Sequence, residues 1–298
     1  MHTVIQQNAL NLDNPQDRAR LVARIQHDVD QACREEFAED ARTHLGASII
    51  GHDCAAYSWN TFRWLKFEKF DGRMLRLFNR GHEEEARFIR WLTLAGFEVR
   101  DVDPSTGKQF RIVGSKGHFG GSLDSMIKPP ARYGLPDLLI WLGEFKTHNE
   151  KSFAKLKKDG VGKSKPQHFK QMCSYGRAYQ FKYGLYCAVN KNTDELYFEI
   201  VVLDYRQADD LFRKADDIVF SRIRPPKIAQ VATYFECKYC DFSGICHEGE
   251  VPTKNCRSCK HAVPIDNAEW FCELYSPERG PLPKEFIPEG CDDWRAIG

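Results

Sequence analysis

Apolar residues at Leu21, Val22, Ile25, Val29, Ala32 and Phe37 recur at helical spacing from Pro15 to about Leu45, where Gly46 supplies a stop. A second helical stretch, about Asp71 to Ala95, puts Met74, Phe78, Ile89 and Leu92 on one stripe and ends at Gly96. The period then changes. Residues 97–103, 109–127 and 137–147 read as strands, separated by turn-formers at 104–107 and 129–136. Past a lysine-rich segment the pattern predicts a helix over 166–182, strands over 184–191 and 195–204, and a helix over 205–222. Pro225 and Pro226 mark the passage into a cysteine-rich tail. The expected fold class is α/β, a mixed central sheet flanked by helices, with a small cysteine-rich C-terminal region.

Composition narrows the class. Of 298 residues, 42% are hydrophobic and 29% charged, which suits an ordered globular chain and argues against long disorder. No apolar run approaches the ~20 residues of a membrane span, and MHTVIQQNALNLDN lacks an apolar signal core. A cytoplasmic setting without membrane partners is therefore expected, and there cysteines bind metal more often than they pair. Seven of the 11 cysteines lie between Cys237 and Cys291. The 43 basic and 42 acidic side chains nearly cancel, but eight lysines and two acids fall from Lys146 to Lys170. Lysines there, among them Lys155, Lys157 and Lys158, would neutralise phosphates without reading sequence. Gly160 and Gly162 suggest that part of the segment is flexible.

Three acidic positions carry candidate chemistry. Glu144 and Lys146, two apart at the end of the apolar run LLIWLG, point to one side of a strand. Asp124 stands twenty residues earlier in GGSLDSMI. Glu85 lies on the stripe Phe78, His82, Glu85, Ile89, Leu92, which puts a carboxylate and an imidazole on the face expected to be buried. Burying carboxylates is costly unless they are paired or bound to metal. Gln171 and Tyr175, four apart, share a face of the following helix.

A helical Glu, a strand Asp, a strand Glu-x-Lys and a later Gln-x-x-x-Tyr, in that order, resemble the RecB-like branch of the PD-(D/E)XK nuclease superfamily. The resemblance covers about Ile50 to Cys246 and is similar to both viral exonucleases and the iron–sulfur nucleases of CRISPR adaptation. It implies a restriction-endonuclease-like core over 51–250, between an N-terminal helical region (1–50) and a zinc-knuckle-like region (251–298). It implies that Glu85, Asp124, Glu144 and the Phe145 carbonyl hold Mg²⁺ or Mn²⁺, hard cations suited to oxygen ligands. Lys146 would orient or deprotonate the attacking water, and Gln171 and Tyr175 would contact DNA near the metals. RecB-like members often carry a histidine where this chain has Glu85, which leaves the role of His82 open.

The cysteines fall into two groups. Cys237, Cys240 and Cys246 are three thiols in a C-x2-C-x5-C spacing, one short of the usual four. His247 is a local candidate for the fourth ligand. The resemblance supplies another, because iron–sulfur members take one cysteine before the nuclease core and three after it. Cys54 stands where that first cysteine would be, so a structural 4Fe-4S cluster on Cys54, Cys237, Cys240 and Cys246 is expected, with zinc at the same cysteines as the alternative. The second group, Cys256, Cys259, Cys272 and Cys291, has the C-x2-C half of a zinc site, with His261 competing with Cys291. Cys33, Cys173 and Cys187 fall within expected helices or a strand and read as structural.

The resulting expectation is a metal-dependent DNA nuclease, an exonuclease by resemblance, in phage-type DNA recombination or processing. Its partners would be DNA and a recombinase, a single-strand-binding protein or a helicase. The rival is a noncatalytic DNA-binding or assembly module that keeps the fold. Exo or endo mode, polarity, strand preference and oligomeric state are not legible in the sequence.

Overall fold

The computed structural model describes residues 11–38, 40–67 and 70–298. The first half of the chain forms α1 (Pro15–Glu36), β1 (Leu45–Gly46), α2 (Ala47–Ile50), α3 (Ala55–Phe62), α4 (Gly72–Leu94), β2 (Glu98–Arg100), β3 (Val102–Asp103), β4 (Lys108–Gln109), β5 (Arg111–Gly114), β6 (Phe119–Ser122) and β7 (Ser125–Lys128). Then come β8 (Trp141–His148), α5 (Glu150–Ser164), α6 (Pro166–Tyr179), β9 (Tyr183–Asn190), β10 (Leu196–Val202) and α7 (Tyr205–Phe220). The cysteine-rich end holds α8 (Phe235–Lys238), α9 (Ser243–His247), β11 (Ala262–Pro264), β12 (Trp270–Cys272) and α10 (Ser276–Arg279). Two compact units divide the chain: 1–40 with 68–83, and 41–67 with 84–298. Among the described residues, no helix is long and apolar enough to cross a membrane.

In the smaller unit, the Asn14 side chain accepts the Gln16 N–H at 2.9 Å and Pro15 opens α1, a favourable helix start. The expected helix to Leu45 stops at Glu36, where the Phe37 N–H turns back to the Cys33 carbonyl. Residues 38–44 offer nothing large and apolar to extend the apolar stripe, and Leu45–Gly46 is a strand instead. No side chain of α1 is buried. The helix meets the start of α4 closely: a Cβ on Gly72 would lie 2.3 Å from the Asp30 carbonyl, and Arg76 pairs with Asp30.

The larger unit is built on a five-stranded sheet, ordered β10-β9-β8-β7-β2. Only β8 and β9 run parallel, and α5 and α6 make the crossover that a parallel pair requires. The central strand β8 is covered on both faces, which explains its apolar approach LLIWLG. Trp141 and Phe145 point to one face, against Phe88 and Leu92 of α4 and Leu185, Cys187 and Val189 of β9. The Phe88 and Phe145 rings stack with centroids 5.2 Å apart. On the other face Leu142 joins Tyr186, Ala188, Phe153, Leu156, Met172 and Tyr175. Alternation along β8 puts Glu144, Lys146 and His148 on this second face.

The strand expected over 109–127 is three strands. A 3₁₀ turn at Ser115–Gly117, with Lys116 at φ 56° and Gly117 at φ 95°, folds β5 antiparallel onto β6. β6 also pairs in parallel with β1, Gly46 opposite Gly120, to make a separate three-stranded sheet. The chain then crosses into the large sheet at Leu123–Asp124: the Leu123 N–H still bonds to Phe110, whereas Ser125 already pairs with Gly143. The lysine-rich segment expected to be partly flexible is helix α5, anchored by buried Phe153, Leu156 and Val161, with a left-handed break at Gly160 (φ 70°).

Phe88 is fully buried between α4 and β8. Phe88→Ala is expected to cost about 3–5 kcal/mol in urea unfolding, the range for an aromatic removed from a core. A loss below about 1 kcal/mol would show that α4 does not hold this face.

Candidate active site

The crossing from β6 to β7 creates the site. Where the ladder between β7 and β8 ends, the Phe145 N–H has lost its strand partner and donates to Asp124 Oδ2 at 2.7 Å. Asp124 therefore sits between two strands, and not within one as its pattern suggested. Lys146 Nζ is placed 2.5 Å from Glu144 Oε1, 3.6 Å from Asp124 Oδ2 and 3.0 Å from the Phe145 carbonyl, to which it donates. The Phe145 carbonyl, a ligand by resemblance, is thus engaged by the ammonium. Glu144 has no exposed surface, and neither of its oxygens receives a hydrogen bond of good geometry. Burial raises its pKa and Asp124 and Glu85 add to that, while Lys146 offsets part. Glu85 is half-buried, its carboxyl pushed up to about 7 first by burial and then by Asp124, with Lys146 opposing. The four charged groups thus share one field. The same neighbourhood holds Lys146 in its protonated form, above its ordinary value despite burial, because Asp124 and Glu144 surround it.

His82, expected on the buried face of α4, is exposed and belongs to the smaller unit. Glu84 is the deeply buried carboxylate of that turn and pairs with Arg87. The spacing of the apolar stripe explains the difference: Phe88 and Leu92 define the buried line, and Glu84 is four residues before Phe88.

Gln171 and Tyr175 are both buried beside the centre, and the Gln171 amide donates to the Tyr175 hydroxyl at 3.2 Å. Burial and the carboxylates raise the Tyr175 pKa, so the hydroxyl keeps its proton. Its place depends on Gly121, where a Cβ would lie 2.6 Å from Tyr175 Oη and 2.9 Å from Ala47 Cβ. Of the two glycines before Asp124, Gly121 therefore serves the approach of Tyr175, whereas Gly120 lies against the Ile112 carbonyl. Lys155, Lys157 and Lys158 are exposed on α5, and Lys157 pairs with Glu195.

The sequence reading missed a buried polar group on the same face. Tyr186 Oη is hydrogen-bonded to His148 Nε2 and His168 Nδ1, each at 2.9 Å, and Ser152 Oγ lies 3.3 Å from His148 Nδ1. Burial lowers both imidazoles, His148 to about 4 and His168 to about 3, with Lys146 and Lys165 contributing. Both rings are neutral, so each can accept or donate to the single hydroxyl between them. The signal was present: His148 continues the alternation of Glu144 and Lys146, and His168 precedes Gln171 by three on α6.

Cys54, Cys237, Cys240 and Cys246 line one pocket together with Asn60, Lys227 and His247. Asn60 Nδ2 donates to Cys246 Sγ at 3.4 Å, and backbone N–H groups of Ala229 and Phe242 reach the Cys237 and Cys240 sulfurs. Chain ends remote in sequence thus meet at one donor set of four thiols. Cys256, Cys259, Cys272 and Cys291 gather separately, close enough that burial first and then the other three thiols together push Cys256 up to about 11. His261 turns to Glu273, its Nδ1 3.8 Å from the carboxylate. Among the described residues, no three His, Cys, Asp or Glu side chains stand close enough, as placed, to hold a metal ion. Cys173 and Cys187 are buried in α6 and β9, and Cys33 is half-buried in α1.

No protein-family model matches the chain, and no curated protein matches it. Solved structures that it resembles include that of SSO0001, at 15% identity over 74% of this chain and 96% of that one, with a TM-score of 0.42. A second is the LHK-Exo complex with dAMP, at 15% identity over 62% of this chain and 90% of that one, TM-score 0.41. LHK-Exo, an alkaline exonuclease from Laribacter hongkongensis, also matches in a further crystal structure at 16% identity over the same shares, TM-score 0.38.

Because Glu85 holds its proton up to about 7 in the folded chain but only to its ordinary 4.5 when exposed, the folded state binds the extra proton in between. Stability without divalent cation is expected to fall as pH rises from 4.5 to 7. Mg²⁺ held by the deprotonated carboxylates would raise the melting temperature above that window and do little below it. Thermal melts across the window with and without Mg²⁺ measure this; a Mg²⁺ effect of equal size at both ends would contradict it.

Proposed function

We propose that the chain is a Mg²⁺- or Mn²⁺-dependent DNA nuclease acting in DNA processing, exonucleolytic as in the family its motifs resemble. The observation that carries the reading is Glu144, a fully buried carboxylate paired with the Lys146 ammonium and in one field with Asp124 and Glu85. Burying three carboxylates around one ammonium is costly for a purely structural module, whereas a hard cation takes their oxygens as ligands. Glu85, Asp124 and Glu144 fit such an ion in donor type. When bound, it would neutralise charge on the scissile phosphate and make water a stronger acid.

The chain's own groups supply the rest. Lys146 stays protonated among the carboxylates, so it acts as a donor that orients water or a phosphate oxygen and not as the base. Its ammonium now rests on Glu144, Asp124 and the Phe145 carbonyl, and turning to a substrate phosphate would free those oxygens. Tyr175 and Gln171 offer a protonated hydroxyl and an amide next to the same oxygens. The exposed lysines of α5 add phosphate contacts whose strength falls with salt. Phage-type recombination, with a recombinase, single-strand-binding protein or helicase as partner, is the setting the resemblance suggests.

At the first cysteine group the reading is a structural 4Fe-4S cluster. Four thiols, two of them met by backbone N–H groups, are a suitable donor set. Hydrolysis of a phosphodiester needs no electron, so the cluster's contribution is to hold α3 to the segment after α7.

On end-labelled DNA with Mg²⁺ or Mn²⁺, Glu144→Ala and Lys146→Ala are each expected to lower degradation roughly 100-fold or more. DNA binding in the presence of Ca²⁺ should persist. Degradation that survives in both variants would sink the assignment and favour the noncatalytic binding module.

Protein purified without oxygen is expected to be brown and to carry about four iron atoms per chain, with Cys54→Ala losing both. A colourless, iron-free preparation would overturn the cluster in favour of zinc.

A further inference from the structure

The second cysteine group has a common backbone device. Each of its four cysteines opens a tight turn: Cys259 N–H returns to Cys256 O at 3.1 Å, Ala262 to Cys259 at 3.2 Å, Tyr275 to Cys272 at 3.2 Å and Trp294 to Cys291 at 3.2 Å. Such turns direct following N–H groups toward the side chain at their start, and the Gly290 N–H reaches Cys256 Sγ.

Long-range pairing brings the four turns together. β11 and β12 form a hairpin with Ala262 opposite Cys272, which sets Cys272 beside the first knuckle. A bridge between Cys259 and Ala296 and the bond from Cys256 N–H to the Ile287 carbonyl draw in the turn of Cys291. All four cysteines are free thiols. His261 is directed to Glu273, which leaves Cys291 as the fourth sulfur.

We propose that Cys256, Cys259, Cys272 and Cys291 form a four-thiolate zinc site that fixes Arg257 as a strut against the segment leading into β1. Zinc suits the set, since a tetrahedral ion without redox chemistry is the usual occupant of four cysteines on knuckle turns. The sulfurs draw inward on binding, and exposed Cys291 has the most room to move.

Arg257 gives the site its consequence. It lies inside the first knuckle and is fully buried, its guanidinium 4.2 Å from the Trp64 ring centroid, 4.5 Å from Phe62 and 5.0 Å from Trp270. From that cage it donates to the carbonyls of Arg42 and Thr43, at 3.4 and 3.3 Å. Those residues lead directly into β1, which pairs with Gly120 beside the glycine that admits Tyr175. Among the described residues the partners of this guanidinium are aromatic faces and carbonyls, so its position depends on how firmly the knuckle holds it.

The proposal is independent of the nuclease reading, because its primary readout is metal content. In the full chain, plasma mass spectrometry should find zinc, and Cys259→Ser or Cys291→Ser should lower it by one equivalent per chain, whereas His261→Ala should not. Cobalt(II) exchanged into the wild-type chain should show tetrahedral bands with thiolate charge transfer, a readout that needs no variant to fold. Hydrogen exchange in Cys259→Ser should rise across 41–46. An absence of zinc, full zinc in Cys291→Ser, zinc lost in His261→Ala or a cobalt spectrum without charge transfer would overturn the site. Unchanged exchange across 41–46 in zinc-free protein would overturn the strut.

Discussion

A carboxylate with no exposed surface, paired with one buried ammonium, sets the terms for this molecule. Glu144 sits on the central strand, and the covering elements make its burial complete: α4 behind through Phe88 on Phe145, α6 in front through Tyr175. The nearby ammonium of Lys146 offsets part of the desolvation cost, and removing either partner would leave an unpaired buried charge. Other features follow from keeping that pocket closed. β8 and β9 are parallel so that the α5–α6 crossover can lie over it, and Gly121 lacks a side chain so that Tyr175 can reach it.

The neutral network beside it has a related purpose. Tyr186 occupies the register position opposite Glu144, and two uncharged imidazoles clamp its hydroxyl. A charged imidazole there would repel Lys146; a neutral pair fixes the ring without adding charge. The floor of the pocket is rigid and polar, and the formal charge is confined to the carboxylates and the lysine.

Local pattern made much of this visible. The Glu-x-Lys alternation on β8, the Gln171–Tyr175 pairing on α6 and the helix carrying Glu85 all rest on periods of two or three to four residues, which a sequence displays directly. Cys54 was placed with three distant cysteines only through resemblance, because nothing in its own surroundings marks it. What was not legible depends on tertiary placement. His82 and Glu84 differ in burial because of where Phe88 docks. The apparent strand 109–127 breaks because Lys116 and Gly117 adopt left-handed conformations and because residues 119–122 belong to another sheet. Arg63 is buried against Trp270 and Arg257 against Trp64, partners remote in sequence that no local period displays.

The meeting of Cys54 with Cys237, Cys240 and Cys246 has a consequence for the order of events in synthesis. The whole five-stranded sheet lies between the first of these thiols and the other three, so a growing chain cannot assemble the pocket until the sheet has been made. Any occupant of the pocket would arrive after the core strands have emerged and would seal a structure already largely paired. Such an occupant would serve as a late checkpoint, since chains that misplace β8 or β9 would bring the wrong ends together and could not retain it.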